Sequence, residues 1–220
     1  MSDSPAKVEP AGPPPVSSVQ LVLTLALAGA LAGFLLVVVD GLTKPRILAY
    51  KKQQQELAAT EVLGGAARLE KLIFADGALS LLPEGQPEPV GAEVLFRGFD
   101  EAGNLVGYAL PGSKFGYADA IDLMLGYAPA RGELLGMRVL GNKETPGLGD
   151  GILKNKKYTG QFPGRALPLV ATKASASAPD EVDTITGATI SSTAVIVGIN
   201  AAVEYFAPAI AAFEAQGAKP

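Results

Sequence analysis

The first twenty residues, Met1 to Gln20, show no apolar periodicity and are rich in Pro and Ser, with Ala and Gly among them and Pro13, Pro14 and Pro15 in a row. That pattern predicts a disordered tail without a core of its own. A largely apolar run without a charge then extends from Leu21 to Val39, LVLTLALAGALAGFLLVVV. As a helix at about 1.5 Å per residue this segment reaches roughly 28 Å, close to the hydrocarbon thickness of a bilayer. It predicts a single transmembrane helix over residues 21–40. A retained anchor fits better than a cleaved leader: the nearest upstream basic residue is Lys7, and Asp40-Gly41-Leu42 follows the apolar core. Ala28, Gly29, Ala30, Ala32 and Gly33 make part of the helix slim. Such residues let helices approach closely in lipid, and they are also ordinary in spanning helices.

Beyond the span, residues 41–71 read as a juxtamembrane helical linker, with a Gln- and Lys-rich helical stretch from Ile47 to Val62. From Leu72 the texture is α+β, and residues 72–220 are expected to form one domain of antiparallel strands with a C-terminal helix. Val94 to Arg97 and Leu105 to Tyr108 flank Asp100-Glu101-Ala102-Gly103, a hairpin signal. Ile121 to Tyr127 and Leu134 to Leu140 predict two more strands, and Pro163 to Asp180 an irregular segment. Val195, Ile196, Ile199, Val203 and Phe206 recur at helical spacing, so Ser192 to Phe213 predicts a closing helix with one buried face. Pro208 should kink or end it.

Composition narrows the chemistry. Formal net charge is −4 and tryptophan is absent, so no basic or stacking footprint for nucleic acid exists. Cysteine and histidine are both absent. This excludes thiolate nucleophiles, cysteine-ligated clusters, His-ligated haem and Ser-His-Asp triads. Any redox chemistry must come from an organic cofactor, and neither a catalytic residue nor a metal-ligand set is expected. The cations Lys44, Arg46, Lys51 and Lys52 follow the span, against Lys7 before it. Charge alone would place the C-terminal domain in the cytoplasm, although large domains translocate largely regardless of charge.

Two segments carry candidate chemistry. In Asp183 to Thr193, DTITGATISST, the small Gly187 and Ala188 let another molecule approach the backbone, and Thr189 presents a hydroxyl where a helix begins. Free N–H groups of that first turn, near Ser191 to Thr193, favour a phosphate, and the hydroxyls of Ser191, Ser192 and Thr193 can add donors. An ordinary helix cap uses the same residues. In Asn142 to Asp150, NKETPGLGD, a Pro-Gly turn between strands is expected.

Asp183, Thr186, Gly187, Ala188 and Thr189 resemble the flavinylation motif D-x-x-[S/T]-G-A-T of FMN-binding domains in respiratory complexes. Glu144, Thr145, Pro146, Gly147, Leu148 and Gly149 are similar to that family's E-T-P-G-L-G turn, with Asn142 where the family has histidine. Gly116-Tyr117 followed by Ile121 resembles a third, weaker segment, which strand packing explains equally well. The layout resembles the G subunits of Rnf electron-transport complexes, which couple ferredoxin and NAD oxidoreduction to ion movement; related C subunits of sodium-translocating NADH:quinone oxidoreductase share it. The resemblance implies covalent FMN on Thr189 through a phosphoester. It also implies cofactor contacts from Thr186, Gly187, Ala188, Ser191 and Ser192, and from Glu144, Thr145, Gly147 and Leu148 against the flavin ring. It further implies a single-pass protein of the inner (cytoplasmic) membrane with its FMN domain on the periplasmic side. The partners implied are the other Rnf subunits and a periplasmic FAD-dependent flavin transferase, with no turnover by this chain alone. A freestanding flavinylated shuttle and a cofactor-free tethered scaffold are the other readings of the same layout.

Overall fold

Long apolar runs make helices, and short runs with apolar residues on both phases of a period of two make strands buried on both faces. The computed structural model shows both, describing residues 17–217 apart from 84, 90 and 174. Two units divide the chain, one through Tyr50 and one from Lys51 onward. Helix α1 runs from Ser18 to Val62. The expected span and juxtamembrane helix are thus one element, and the helix starts earlier than residue 21. Of the expected tail, residues 1–16 lie outside the described residues. In the first unit α1 is exposed throughout, and it is long and apolar enough to cross a membrane. Its polar side chains stay within the helix: Thr24 Oγ1 donates to the Gln20 carbonyl at 2.9 Å and Thr43 Oγ1 to that of Val39 at 2.8 Å. Pro45 lies inside α1 without ending it.

The second unit is built on a sheet. After the end of α1 come β1 (Arg68–Ala75), β2 (Ala78–Leu81), β3 (Glu93–Phe99), β4 (Leu105–Phe115), β5 (Ala120–Ala128) and β6 (Glu133–Gly141). Two short helices, α2 (Gly151–Lys154) and α3 (Lys156–Thr159), precede β7 (Arg165–Ala166), β8 (Val170–Thr172), β9 (Glu181–Asp183) and the closing helix α4 (Thr189–Ala215). The main sheet is antiparallel, in the order β2-β1-β3-β4-β5-β6-β7. A separate pair, β8 and β9, is parallel. The α+β class expected from the sequence is the one observed.

Leu72, Leu95, Tyr108, Leu110, Ile121, Leu123 and Leu125 turn to one face, where α4 packs with Val195, Ile199, Phe206 and Ile210. Phe96, Ala109 and Met124 turn to the other, where Ala58, Ala59 and Val62 at the end of α1 cover them. Close approach there rests on glycine. A Cβ on Gly126 would collide with the Val62 carbonyl, and one on Gly136 would lie 3.3 Å from it.

Several boundaries move from their sequence expectations. β1 and β2 lie in or beside the stretch expected to be linker, and β7 and β8 within the expected loop from Pro163 to Asp180. β4 continues through Pro111, because its pairing with β3 ends at Ala109 and the missing N–H of Pro111 falls where no β3 neighbour is paired. α4 continues seven residues past Pro208 to Ala215. The carbonyl that Pro208 leaves unbonded belongs to the exposed Glu204, where water can serve it.

Candidate cofactor-binding site

The segment after β6 is a bonded turn before α2, not a connection between two strands. The N–H of Leu148 donates to the Thr145 carbonyl at 3.2 Å, and Gly147 takes φ +80°, which only glycine adopts at ease. Asp150 closes the turn: Oδ1 accepts from the Gly147 N–H at 2.8 Å, and Oδ2 lies 2.6 Å from Lys154 Nζ. Lys154 holds the Asp150 carboxyl below its ordinary value. Asn142 Oδ1 accepts from the Glu144 N–H at 3.1 Å, so this residue serves the local backbone.

The segment before α4 is a second such turn. Ala188 N–H donates to the Ile185 carbonyl at 3.0 Å, and Gly187 takes φ +84°. Gly187 is therefore required by conformation as well as by space. Ser192 Oγ accepts from the Ile185 N–H at 3.2 Å and donates to the Ala188 carbonyl at 2.8 Å. Tyr158 Oη donates to the Ser192 carbonyl at 2.9 Å, and burial pushes the Tyr158 hydroxyl well above its ordinary pKa. The N-cap is Ala188, which offers no side-chain cap. Ser192 N–H bonds to the Ala188 carbonyl at 3.0 Å, and Thr193 lies beyond the first turn. At the start of α4 the N–H groups without partners among the described residues are those of Thr189, Ile190 and Ser191, a step earlier than expected.

Glu144 joins the two turns to the β4–β5 connection. It is 5% exposed. Oε1 accepts from the N–H groups of Tyr117 at 2.9 Å and Ala118 at 3.1 Å, and Oε2 accepts from Ser191 Oγ at 2.7 Å. Two glycines make room for it. A Cβ on Gly116 would strike Oε1, and one on Gly149 would lie 2.6 Å from Oε2. Nearby, Lys143 pairs with Asp119 at 2.6 Å and holds that carboxyl below its ordinary value.

Between these segments lies a cleft of about 540 Å³. Of the residues expected at the site, Glu144, Thr145, Leu148, Gly187, Ala188, Thr189 and Ser191 line it. Gly147 and Ser192 shape the turns without lining it, and Thr186 faces a separate polar hollow with Asp183 and Gln161. Tyr117, Gly149 and Ile190 line the cleft and were not expected to. Tyr117 is 72% exposed, which rules out strand packing as its role, whereas Ile121 is fully buried. An aromatic beside a glycine between two strand patterns was the available signal.

The cleft suits a flavin mononucleotide on its own geometry. Three free N–H groups stand at the start of a 27-residue helix, where an anion is favoured. The apolar side chains of Tyr117, Leu148 and Ile190 stand largely exposed at its edge, ready to pack on a planar ring. A larger hollow of about 620 Å³ holds none of the expected residues. Its charges are satisfied within the protein: Lys71 pairs with Glu56 and Glu88, and Arg68 and Arg97 with Glu70.

Residues 116–204, which carry this cleft, match the FMN-binding domain family. A relative from Methanosarcina acetivorans, the G subunit of an ion-translocating oxidoreductase complex, is 30% identical over 186 residues, 84% of this chain and 93% of its own. Another, the G subunit of the Na+-translocating ferredoxin:NAD+ oxidoreductase complex of Acetobacterium woodii, is 29% identical over 85% of this chain and 90% of its own. The chain belongs to the family of G subunits of Rnf ion-translocating oxidoreductase complexes. Its fold is also that of the crystal structure of NqrC from Shewanella oneidensis, with a TM-score of 0.58 at 16% identity over 74% of this chain and 99% of that one.

Proposed function

We propose that this chain is a membrane-anchored electron-transfer subunit carrying FMN as a phosphoester on Thr189, within an ion-translocating ferredoxin:NAD oxidoreductase. The observation that carries the reading is the position of Thr189: first residue of α4, lining the cleft beside three unpartnered N–H groups. The names of the relatives support the complex, and the exposed apolar helix supports the anchor.

Attachment draws on FAD and a flavin transferase. The Thr189 hydroxyl oxygen bonds to the flavin-side phosphorus as the bond from that phosphorus to the bridging oxygen breaks. AMP leaves and the hydroxyl proton is released. The N–H groups of Thr189, Ile190 and Ser191 would hold the phosphate, and Tyr117, Leu148 and Ile190 would shield the ring from water. When bound, FMN supplies reversible electron acceptance, which no side chain of a chain without Cys, His or Trp offers. Glu144 braces the cleft walls, and Ser192 with Tyr158 fixes the helix start. The FMN domain lies on the periplasmic side of the inner membrane, where the transferase works, and the other Rnf subunits are its partners.

Co-expression with an active flavin transferase tests the reading. The protein should gain the mass of FMN less one water on the peptide containing Thr189, and Thr189→Ala should abolish the gain while melting as the wild type does. A wild-type protein that gains no mass leaves the domain a tethered scaffold. A reporter fused after Pro220 tests the placement: cytoplasmic fluorescence without periplasmic phosphatase activity would overturn it.

A further inference from the structure

Ser191 has a hydroxyl whose hydrogen-bond sense the structure determines. Its Oγ lies 2.7 Å from Glu144 Oε2, and the two residues are 2% and 5% exposed. A carboxylate oxygen only accepts, so the Ser191 proton points at Glu144. Turning it toward the cleft would strip a buried acceptor of its donor, a costly exchange. Glu144 is itself fixed by the N–H groups of Tyr117 and Ala118 on its other oxygen. Gly149 leaves the room for this contact, since a Cβ there would lie 2.6 Å from Oε2 and 3.1 Å from Ser191 Oγ. Ser191 therefore presents lone pairs to the cleft it lines, and Oε2 keeps accepting capacity beside it.

The N–H groups of Thr189, Ile190 and Ser191 present only donors. The start of α4 is thus divided into a donor half made of backbone and an acceptor half made of side chains. A phosphodiester offers acceptor oxygens and a negative charge, which match the first half and are repelled by the second. A ribityl chain offers hydroxyl donors.

We propose that Ser191 and Glu144 form an acceptor subsite for the hydroxyl groups of the flavin's ribityl chain, with the phosphate left to the backbone N–H groups. This rests on the FMN reading above, and it reverses the donor role expected of Ser191 from the sequence.

Titration of the unflavinylated full-length protein in detergent with three free flavins tests it. Riboflavin and lumiflavin share the ring and differ in the ribityl chain, while FMN and riboflavin differ in the phosphate. Wild-type protein should bind riboflavin about tenfold more tightly than lumiflavin, the worth of a hydrogen bond to a charged acceptor pair. Ser191→Ala leaves Oε2 to accept alone, so it should lower that ratio without abolishing it and leave the FMN-to-riboflavin ratio as it was. Glu144→Gln keeps an amide oxygen for Tyr117 and Ala118, yet its NH2 donates to Ser191 and turns that hydroxyl outward. The FMN-to-riboflavin ratio should then rise several-fold. Equal binding of riboflavin and lumiflavin by the wild type overturns the subsite, as does no binding of either. So does a Ser191→Ala protein that loses its preference for FMN over riboflavin while keeping the ribityl preference, or a Glu144→Gln protein with the wild-type phosphate ratio. Peptide mass at Thr189 is read separately, so a missing phosphoester with an intact ribityl preference would sink the covalent attachment alone.

Discussion

Gly149→Ala adds one methyl group, and the structure sets out its cost. The new Cβ would lie 2.6 Å from Glu144 Oε2, 2.8 Å from Glu144 Cβ and 3.1 Å from Ser191 Oγ. The contact with Cβ matters most, because a rotation at the far end of Glu144 cannot relieve it. Glu144 must move as a whole, and three hydrogen bonds depend on where it sits. Overpacking, together with one or two weakened bonds to a buried carboxylate, sums to about 2–4 kcal/mol. For a folded unit of the size that begins at Lys51 this corresponds to a melting point lower by about 5–15 °C. Gly147→Ala is the internal control: nothing lies within 4 Å of its Cβ, and its cost comes only from φ +80°, about 1–2 kcal/mol. Calorimetry of the full-length protein in detergent reads both. Transferase labelling of Gly149→Ala should also fall, since both the β4–β5 connection and the start of α4 lose their common brace. If Gly149→Ala melts no lower than Gly147→Ala, Glu144 does not hold the site together and the reasoning is refuted.

Two further outcomes follow from buried and paired groups. Tyr108 Oη is buried without a hydrogen bond of good geometry among the described residues, although Glu214 and Arg97 lie near it, so Tyr108→Phe should be as stable as the wild type or more so by up to about 1 kcal/mol; a clear loss in urea unfolding would reveal a bond to one of them. Asp150 is held below its ordinary 3.8, so its contribution is present above that pH and is lost as pH falls through the lower folded-state value. The stability difference between the wild type and Asp150→Asn should accordingly be constant near neutrality and shrink below about pH 4, and a difference unchanged down to about pH 2 would remove Lys154 as the cause.

Local patterns were sufficient for the elements with long or regular apolar runs. The apolar run from Leu21 to Val39, the apolar strands through Met124 and Val139, and the helix through Ile199 and Phe206 are properties of neighbouring residues, and they appear where the sequence puts them. The two chemical segments were likewise legible, because turns such as Thr145 to Leu148 and Ile185 to Ala188 are closed by local bonds and need glycine at Gly147 and Gly187. What the sequence left open depends on partners far along the chain. The start of β1 looks like linker until β3 pairs with it, and β4 runs on through Pro111 where its pairing with β3 has already stopped. Gly126 is an ordinary strand residue until the Val62 carbonyl rests on it. The roles of Glu144, Ser191 and Ser192 were decided in the same way. As a string, Ser191 and Ser192 are hydroxyls beside a phosphate-binding motif and Glu144 is an acid in a distant turn. Only the approach of residues 47 positions apart sends the Ser191 proton to Glu144, and only the fold of the preceding turn commits Ser192 to the backbone. Which residues could serve the cofactor was a matter of residue type; which way their protons point is a matter of tertiary contact, because a hydroxyl takes its direction from the strongest acceptor the fold brings to it.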